Sequence, residues 1–154
     1  LGELSMGQKK KAFMCFALAT NTSLLMMDEP SNGLDIPSKS QFRKVIASGM
    51  TDDKAVIIST HQVRDIDSLL DHVLIMDGSE LLLNESVANI CEKLYFVEQG
   101  MNEPTDYALY VQPSVQGNSV ILPNESYEES KMNLEVLFNA MLAERVKMQS
   151  MFNR

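Results

Sequence analysis

An apolar run that ends in two neighbouring carboxylates constrains the fold of this chain most strongly. Residues 24–27 are Leu, Leu, Met and Met, and this lack of polar alternation is typical of a short strand buried on both faces of a helix-covered parallel sheet. Asp28 and Glu29 follow directly, and Pro30 stops the strand. In open α/β sheets, chemistry gathers at the carboxyl ends of strands. The pair is therefore either the acidic part of a magnesium–nucleotide site, with one carboxylate near hydrated Mg²⁺ and the other activating a water, or the plain end of a core strand.

The composition narrows the class of protein. The 154 residues are enough for a domain with a real core, and the net charge of −8 argues against a nucleic-acid partner, which needs a basic face. The longest apolar run, residues 12–19, is well short of the roughly 18 residues that a membrane span needs. Cys15 and Cys91 lack metal-ligand spacing. We therefore expect a reduced, cytosolic chain.

A helix start precedes the acidic strand. Ser5 and Gln8 have the spacing of a capping box, which predicts a helix that runs to about Thr20 and is apolar all round in its second half. Such a start is either an ordinary cap on a core helix or a place where free amides and a hydroxyl receive a phosphate.

Two strand-helix units follow one another. Asp35, after a turn-rich loop, can cap an amphipathic helix over residues 36–48, and the β-branched run 55–59 predicts a second buried strand that ends at Thr60-His61. A helix over 62–70 should come next. This alternation predicts a parallel sheet with helical crossovers.

The rest of the chain is predicted to hold smaller elements. In chain order these are an antiparallel hairpin of strands 73–76 and 81–83, a short helix over 86–93, a polar linker over 101–106, a second hairpin of strands 107–111 and 119–122, and a long helix over 128–152.

Three motifs now stand in order: Leu4-Ser5-Met6-Gly7-Gln8, the strand end Asp28-Glu29-Pro30 with its loop to Asp35, and Ser59-Thr60-His61. Together they resemble the signature, Walker B with D-loop, and switch-histidine motifs in the second half of the nucleotide-binding domain of ABC transporters. Met6 stands where that family usually has glycine. The resemblance implies an α/β fold: a partial P-loop NTPase (ABC ATPase) domain with a mainly parallel sheet over residues 1–91, and a small α+β C-terminal extension over 92–154.

The resemblance also implies a role for each motif residue. Asp28 would contact Mg²⁺ through water, Glu29 would polarise the water that attacks the γ-phosphate of ATP, and His61 would contact that phosphate. Other residues would act on a second subunit. Asp35 would lie at the dimer interface. The signature residues would contact the ATP bound to the opposite subunit; they are Ser5, Met6, Gly7 and Gln8. The plain alternatives are that His61 is a loop histidine and Asp35 only a helix cap.

The chain contains no Gly-x-x-x-x-Gly-Lys-Ser/Thr run, which would cradle the β- and γ-phosphates. We therefore expect a C-terminal part of an ABC-type ATPase that does not hydrolyse ATP by itself. The implied partners are a second ATP-binding subunit, forming a homodimer, and a separate transmembrane permease that holds the protein at the inner face of the cell membrane.

Two other functions fit the same residues. One is a soluble ABC-type ATPase that is not involved in transport, which the acidic charge and the lack of a basic arm disfavour. The other makes residues 92–154 a regulatory or docking module, for which the hairpin and the Met-containing helix leave room.

Overall fold

The computed structural model describes residues 4–115 and 117–152, which form two compact units. The first unit ends at Leu69 and the second begins at Leu70. The expected boundary between residues 91 and 92 follows the extent of the motif resemblance and stays a prediction. The mixture of helices with parallel and antiparallel strands confirms the α/β fold class.

The first unit is built on a parallel pair of strands. Helix α1 (Met6–Ala19) leads to β1 (Leu24–Asp28), and helix α2 (Ile36–Gly49) leads to β2 (Ala55–Ser59). The register aligns Asp28 with Ser59. The ends of both strands therefore lie side by side, as the strand-helix alternation predicts.

Both helices begin where the sequence places their caps. At α1, the Gln8 amide donates to Ser5 Oγ (3.3 Å) and the Ser5 amide donates to Gln8 Oε1 (2.9 Å), which completes the capping box. At α2, the Ser38 amide donates to Asp35 Oδ1 at 2.9 Å. Each side chain satisfies a donor that the first helical turn leaves free.

The prediction that β1 is buried on both faces is wrong for the described residues. Alternate residues Leu24 and Met26 are 51% and 69% exposed. The helices cover only the other face of the pair, where Leu25 and Val56 line a cavity together with Ile46 of α2. The predicted core helix α1 likewise has no buried residue.

The segment after His61 also differs from the prediction. In place of a helix over 62–70 it forms two 3-10 turns, Val63–Asp65 and Asp67–Leu69. The hydrogen bonds Asp65 N to Gln62 O and Leu69 N to Ile66 O span three residues and not four. At Ile66 the backbone (φ −124°, ψ −5°) leaves the helical range, while its side chain is buried.

The second unit consists of antiparallel sheets and short helices. Strands β3 (His72–Asp77) and β4 (Glu80–Ser86) form the predicted hairpin, and α3 (Val87–Lys93) follows. A three-stranded sheet then has the order β5-β7-β6, formed by β5 (Leu94–Gln99), β6 (Tyr110–Ser114) and β7 (Gly117–Pro123). The sequence predicts the β6–β7 hairpin but not β5, because no turn residue separates β5 from α3.

The predicted long helix over 128–152 is two helices, α4 (Leu134–Ala143) and α5 (Arg145–Ser150). Helix α4 starts late because Asn133 caps it, with the Val136 amide donating to Asn133 Oδ1 at 3.2 Å. Glu144, with φ −120° and ψ 43°, interrupts the helical backbone between the two.

Among residues 4–115 and 117–152, no helix has the length and apolar character needed to cross a bilayer.

Candidate functional site

The paired ends of β1 and β2 hold Glu29 in an unusual backbone conformation. Glu29 has a φ of +46°, in the left-handed region that few residues other than glycine adopt. Its amide donates to Ser59 O at 2.8 Å, which extends the strand pairing by one bond. The side chain of Glu29 is thereby turned out of the strand pattern at the shared strand end.

Three donors from the loop after β2 surround the Glu29 carboxylate. Its Oε1 accepts from the His61 amide at 2.8 Å and lies 2.6 Å from His61 Nδ1, while Oε2 accepts from Thr60 Oγ1 at 2.9 Å. The structure thus brings together the two residues predicted to be catalytic. Sequence reasoning missed Thr60; its hydroxyl next to His61 was the available signal.

The charge state of Glu29 follows from these contacts. Burial acts to raise the pKa of Glu29, but the hydrogen bonds from the His61 amide, the His61 ring and Thr60 outweigh it and lower the pKa below its usual value. The carboxylate is therefore ionised at neutral pH. The His61 side chain is 71% exposed, whereas that of Glu29 is 27% exposed, so the histidine presents the outer surface of the pair.

Asp28 lies beside this pair at the strand end. Its Oδ1 accepts a hydrogen bond from Ser59 Oγ, and the residue is exposed. Among the described residues, no group of three or more His, Cys, Asp and Glu side chains could hold a metal by itself. Mg²⁺, however, is usually held by one or two carboxylates with water and phosphate oxygens completing its shell. The oxygen donors at Asp28 fit that requirement.

The segment after His61 is fixed to α2. Lys39 Nζ donates to Gln62 Oε1 at 3.0 Å and pairs with Asp65 Oδ2 at 2.7 Å, and Arg43 Nη1 donates to Asp65 O at 3.2 Å. The Gln62 amide in turn donates to Thr60 Oγ1 at 2.9 Å. The Thr60 hydroxyl that donates to Glu29 is thus itself held in place, because it also accepts a hydrogen bond from the Gln62 amide.

The signature segment at the start of α1 has a different arrangement. Ser5 and Gln8 hydrogen-bond to each other, and the Met6 side chain is 74% exposed. Gly7 lies against the loop after β1, since a Cβ at Gly7 would be 3.7 Å from Gly33 O. The helix start is exposed, and the ATP contacts of these residues stay a prediction.

Asp35 is a helix cap in this structure. Hydrogen bonds from the Ser38 side chain and amide lower its pKa below the usual value. Its predicted role at a dimer interface stays a prediction.

Comparison with known proteins finds relatives that include ATP-binding proteins of transporters. No family model matches it. It is 31% identical over 96 residues to an uncharacterized ABC transporter ATP-binding protein of Methanocaldococcus jannaschii, covering 62% of this chain and 37% of that protein. It is 32% identical to a manganese transport system ATP-binding protein of Synechocystis, covering 53% and 31% of the two chains. An energy-coupling factor transporter ATP-binding protein of Mycoplasmoides gallisepticum is 27% identical, with 79% and 33% covered.

A solved structure shares the fold. It is described as a cobalt transport ATP-binding protein, is 18% identical, and aligns with a TM-score of 0.53 over 92% of this chain and 51% of that chain. This likeness supports the fold of an ABC-type ATP-binding domain. The chain spans about a third of the length of the curated relatives named above, at 37%, 31% and 33%.

Proposed function

We propose, on the premise that this chain is homologous to the ATP-binding proteins of ABC transporters, that it supplies the hydrolytic half-site of such a protein. The single observation that supports this most is the set of hydrogen bonds that holds the Glu29 carboxylate. His61 and Thr60, both on the loop after β2, fix both oxygens of a carboxylate that ends β1. A carboxylate fixed in this way can orient one water molecule reproducibly.

Phosphoryl transfer depends mainly on positioning and on stabilising charge, with little covalent chemistry left to the protein. In our proposal Glu29 holds the attacking water by accepting a hydrogen bond from it. The lowered pKa makes Glu29 a weak base, so its contribution is mainly orientation. The exposed ring of His61 next to Glu29 supports its proposed contact with the γ-phosphate.

Asp28 is the residue that would hold Mg²⁺, through its water shell. The ion would neutralise charge on the β- and γ-phosphates. Ser59, which donates to Asp28 Oδ1, orients that carboxylate.

The start of α1 is proposed to act on a second copy. Ser5, Met6, Gly7 and Gln8 would contact ATP bound to that copy with amides at the positive end of the helix dipole, and Asp35 would lie at the interface. The second copy makes a homodimer. The homodimer is proposed to drive a separate membrane permease, which would place the protein at the inner face of the membrane.

The 154 residues contain no phosphate-binding loop, so we expect no ATP turnover from them alone. A test therefore needs the loop to be supplied. We define the joined protein as one in which the phosphate-loop segment of a homologous ATP-binding protein precedes Leu1.

The test compares ATP turnover and ATP binding in the joined protein. Glu29→Gln should lower turnover by at least about a hundredfold while ATP still binds, because the amide keeps the shape but replaces one acceptor oxygen with an NH2 donor and so cannot hold the water in the same orientation. Glu125→Gln is the matched control, since Glu125 is an exposed carboxylate in the other unit. Turnover that survives Glu29→Gln would overturn the proposal.

A further inference from the structure

A lysine of α1 reaches the backbone that carries Glu29. Lys10 Nζ donates to Asn32 O at 2.7 Å and to Glu29 O at 3.3 Å. Lys10 is half-buried and lies in the second turn of α1, five residues after the cap Ser5. An ammonium that donates to two carbonyls of one loop fixes their separation, and such charge-assisted bonds are stronger than neutral ones.

The loop that Lys10 binds is a tight turn whose first two residues are buried and whose next two are exposed. The Asn32 amide donates to Glu29 O at 3.3 Å and the Leu34 amide donates to Ser31 O at 3.1 Å. Pro30 and Ser31 are buried inside it. Glu29 O therefore accepts from both Asn32 N and Lys10 Nζ, and Lys10 binds the turn at each end.

The turn needs such support because of Glu29 itself. A non-glycine residue in the left-handed region is strained, and it persists there only when its surroundings impose that conformation. The Glu29 amide is held by Ser59 O, on the β2 side. On the carbonyl side, Lys10 supplies support from outside the turn.

We propose that Lys10 is a positioning residue that holds the Glu29 backbone in its left-handed conformation, so that the Glu29 carboxylate stays aimed at His61. Lys10 touches no reacting atom; it acts through the carbonyls of Glu29 and Asn32. The inference rests on the proposed function only in its catalytic consequence. Its structural part can be measured on this chain as it stands.

The first measurement is amide hydrogen exchange of the 154-residue chain, read by NMR. Lys10→Met keeps the aliphatic stem and removes the ammonium. We expect exchange at the amides of Glu29, Asn32 and Leu34 to accelerate by about tenfold or more, with the Ile46 amide in α2 unchanged as a measure of global stability. Lys9→Met is the matched control on the same helix and should leave all four amides unchanged.

The second measurement is ATP turnover of the joined protein. Lys10→Met should lower kcat by about tenfold and leave KM for ATP within about twofold, because a misaimed carboxylate affects the chemical step and not the binding of ATP. Lys10→Arg, which restores a cationic donor, should recover most of the lost kcat. A purely structural lysine would not show this split between kcat and KM.

The outcomes separate the two proposals. If Glu29→Gln leaves turnover intact, the proposed function fails, whatever Lys10 does. If Glu29→Gln abolishes turnover but Lys10→Met matches Lys9→Met in both exchange and kcat, the role of Lys10 alone is refuted.

Discussion

Glu29 Oε1 lies 2.6 Å from His61 Nδ1, across the adjoining ends of two parallel strands that are separated by 26 residues of sequence. The register Asp28↔Ser59 sets this contact, because it places the residues that follow each strand next to each other. Thr60 then fixes the second oxygen of Glu29. The contact links the fold directly to the proposed chemistry.

His61 should be needed for turnover and not for folding. In the joined protein, His61→Ala should lower the ATP turnover rate by about a hundredfold, since it removes the exposed ring that we propose contacts the γ-phosphate. ATP binding should persist. The control is His72→Ala, which changes an exposed histidine in the second unit that contacts Asn84. Equal turnover in the two variants would contradict the role of His61.

The stability of α2 should depend on pH through Asp35. Hydrogen bonds from Ser38 lower the folded-state pKa of Asp35 below its ordinary value of 3.8, so its stabilising effect is fully present above that value and is lost as the pH falls through the folded-state pKa. Asp35→Asn keeps a good cap without the charge. Thermal unfolding followed by circular dichroism should show a smaller loss of Tm for Asp35→Asn than for the unmodified chain between about pH 7 and about pH 3. Identical pH profiles would show that the Asp35 charge is not used.

The two cysteines should differ in reactivity. Cys15 is exposed, whereas Cys91 is half-buried and its burial raises the pKa of its thiol. Iodoacetamide at about pH 8 should therefore label Cys15 first, since the thiolate is the reacting form. Mass spectrometry of timed samples measures both rates. Faster labelling of Cys91 would contradict the described packing.

The cap of α4 should contribute measurably to stability. Asn133→Ala removes the bond from the Val136 amide and should lower the free energy of unfolding by about 1 kcal/mol. Urea unfolding measures the change, and Asn102→Ala, in the exposed linker, provides the comparison. A change at Asn133 no larger than at Asn102 would show that the cap does not act.

Sequence patterns predicted the helix caps and strands that depend only on residues close together in the chain. The caps Ser5 and Asp35 and the strands before Glu29 and His61 depend on residues a few positions apart, and each is where the sequence places it. Strand type and helix start are therefore accessible from spacing alone.

Long-range contacts were not accessible in this way. The hydrogen bonds of Thr60 to Glu29 and of Lys10 to Asn32 span 31 and 22 residues, so no local pattern marks them. The exposure of Met26 likewise depends on what covers the sheet and not on the apolar run itself. The prediction of one long helix over 128–152 was wrong at Asn133 and Glu144, because an apolar stripe does not show where a helix begins or is interrupted.

The most direct measurement is the ATP turnover of a mixture of two variants of the joined protein, each of which is expected to be nearly inactive alone. Glu29→Gln removes the proposed water-orienting carboxylate. Gly7→Asp places a carboxylate at the start of α1, where a Cβ meets nothing closer than Gly33 O at 3.7 Å and where a negative charge favours the helix but repels a triphosphate.

If Glu29 acts on one nucleotide and Gly7 on the nucleotide of a second copy, a mixed pair keeps one intact site. Each variant alone should then turn over ATP at least about a hundredfold more slowly than the unmodified joined protein, while the mixture recovers a substantial fraction of the lost rate. A mixture no more active than its two components, or full activity of Glu29→Gln alone, would contradict a site shared between two copies with Glu29 at its centre.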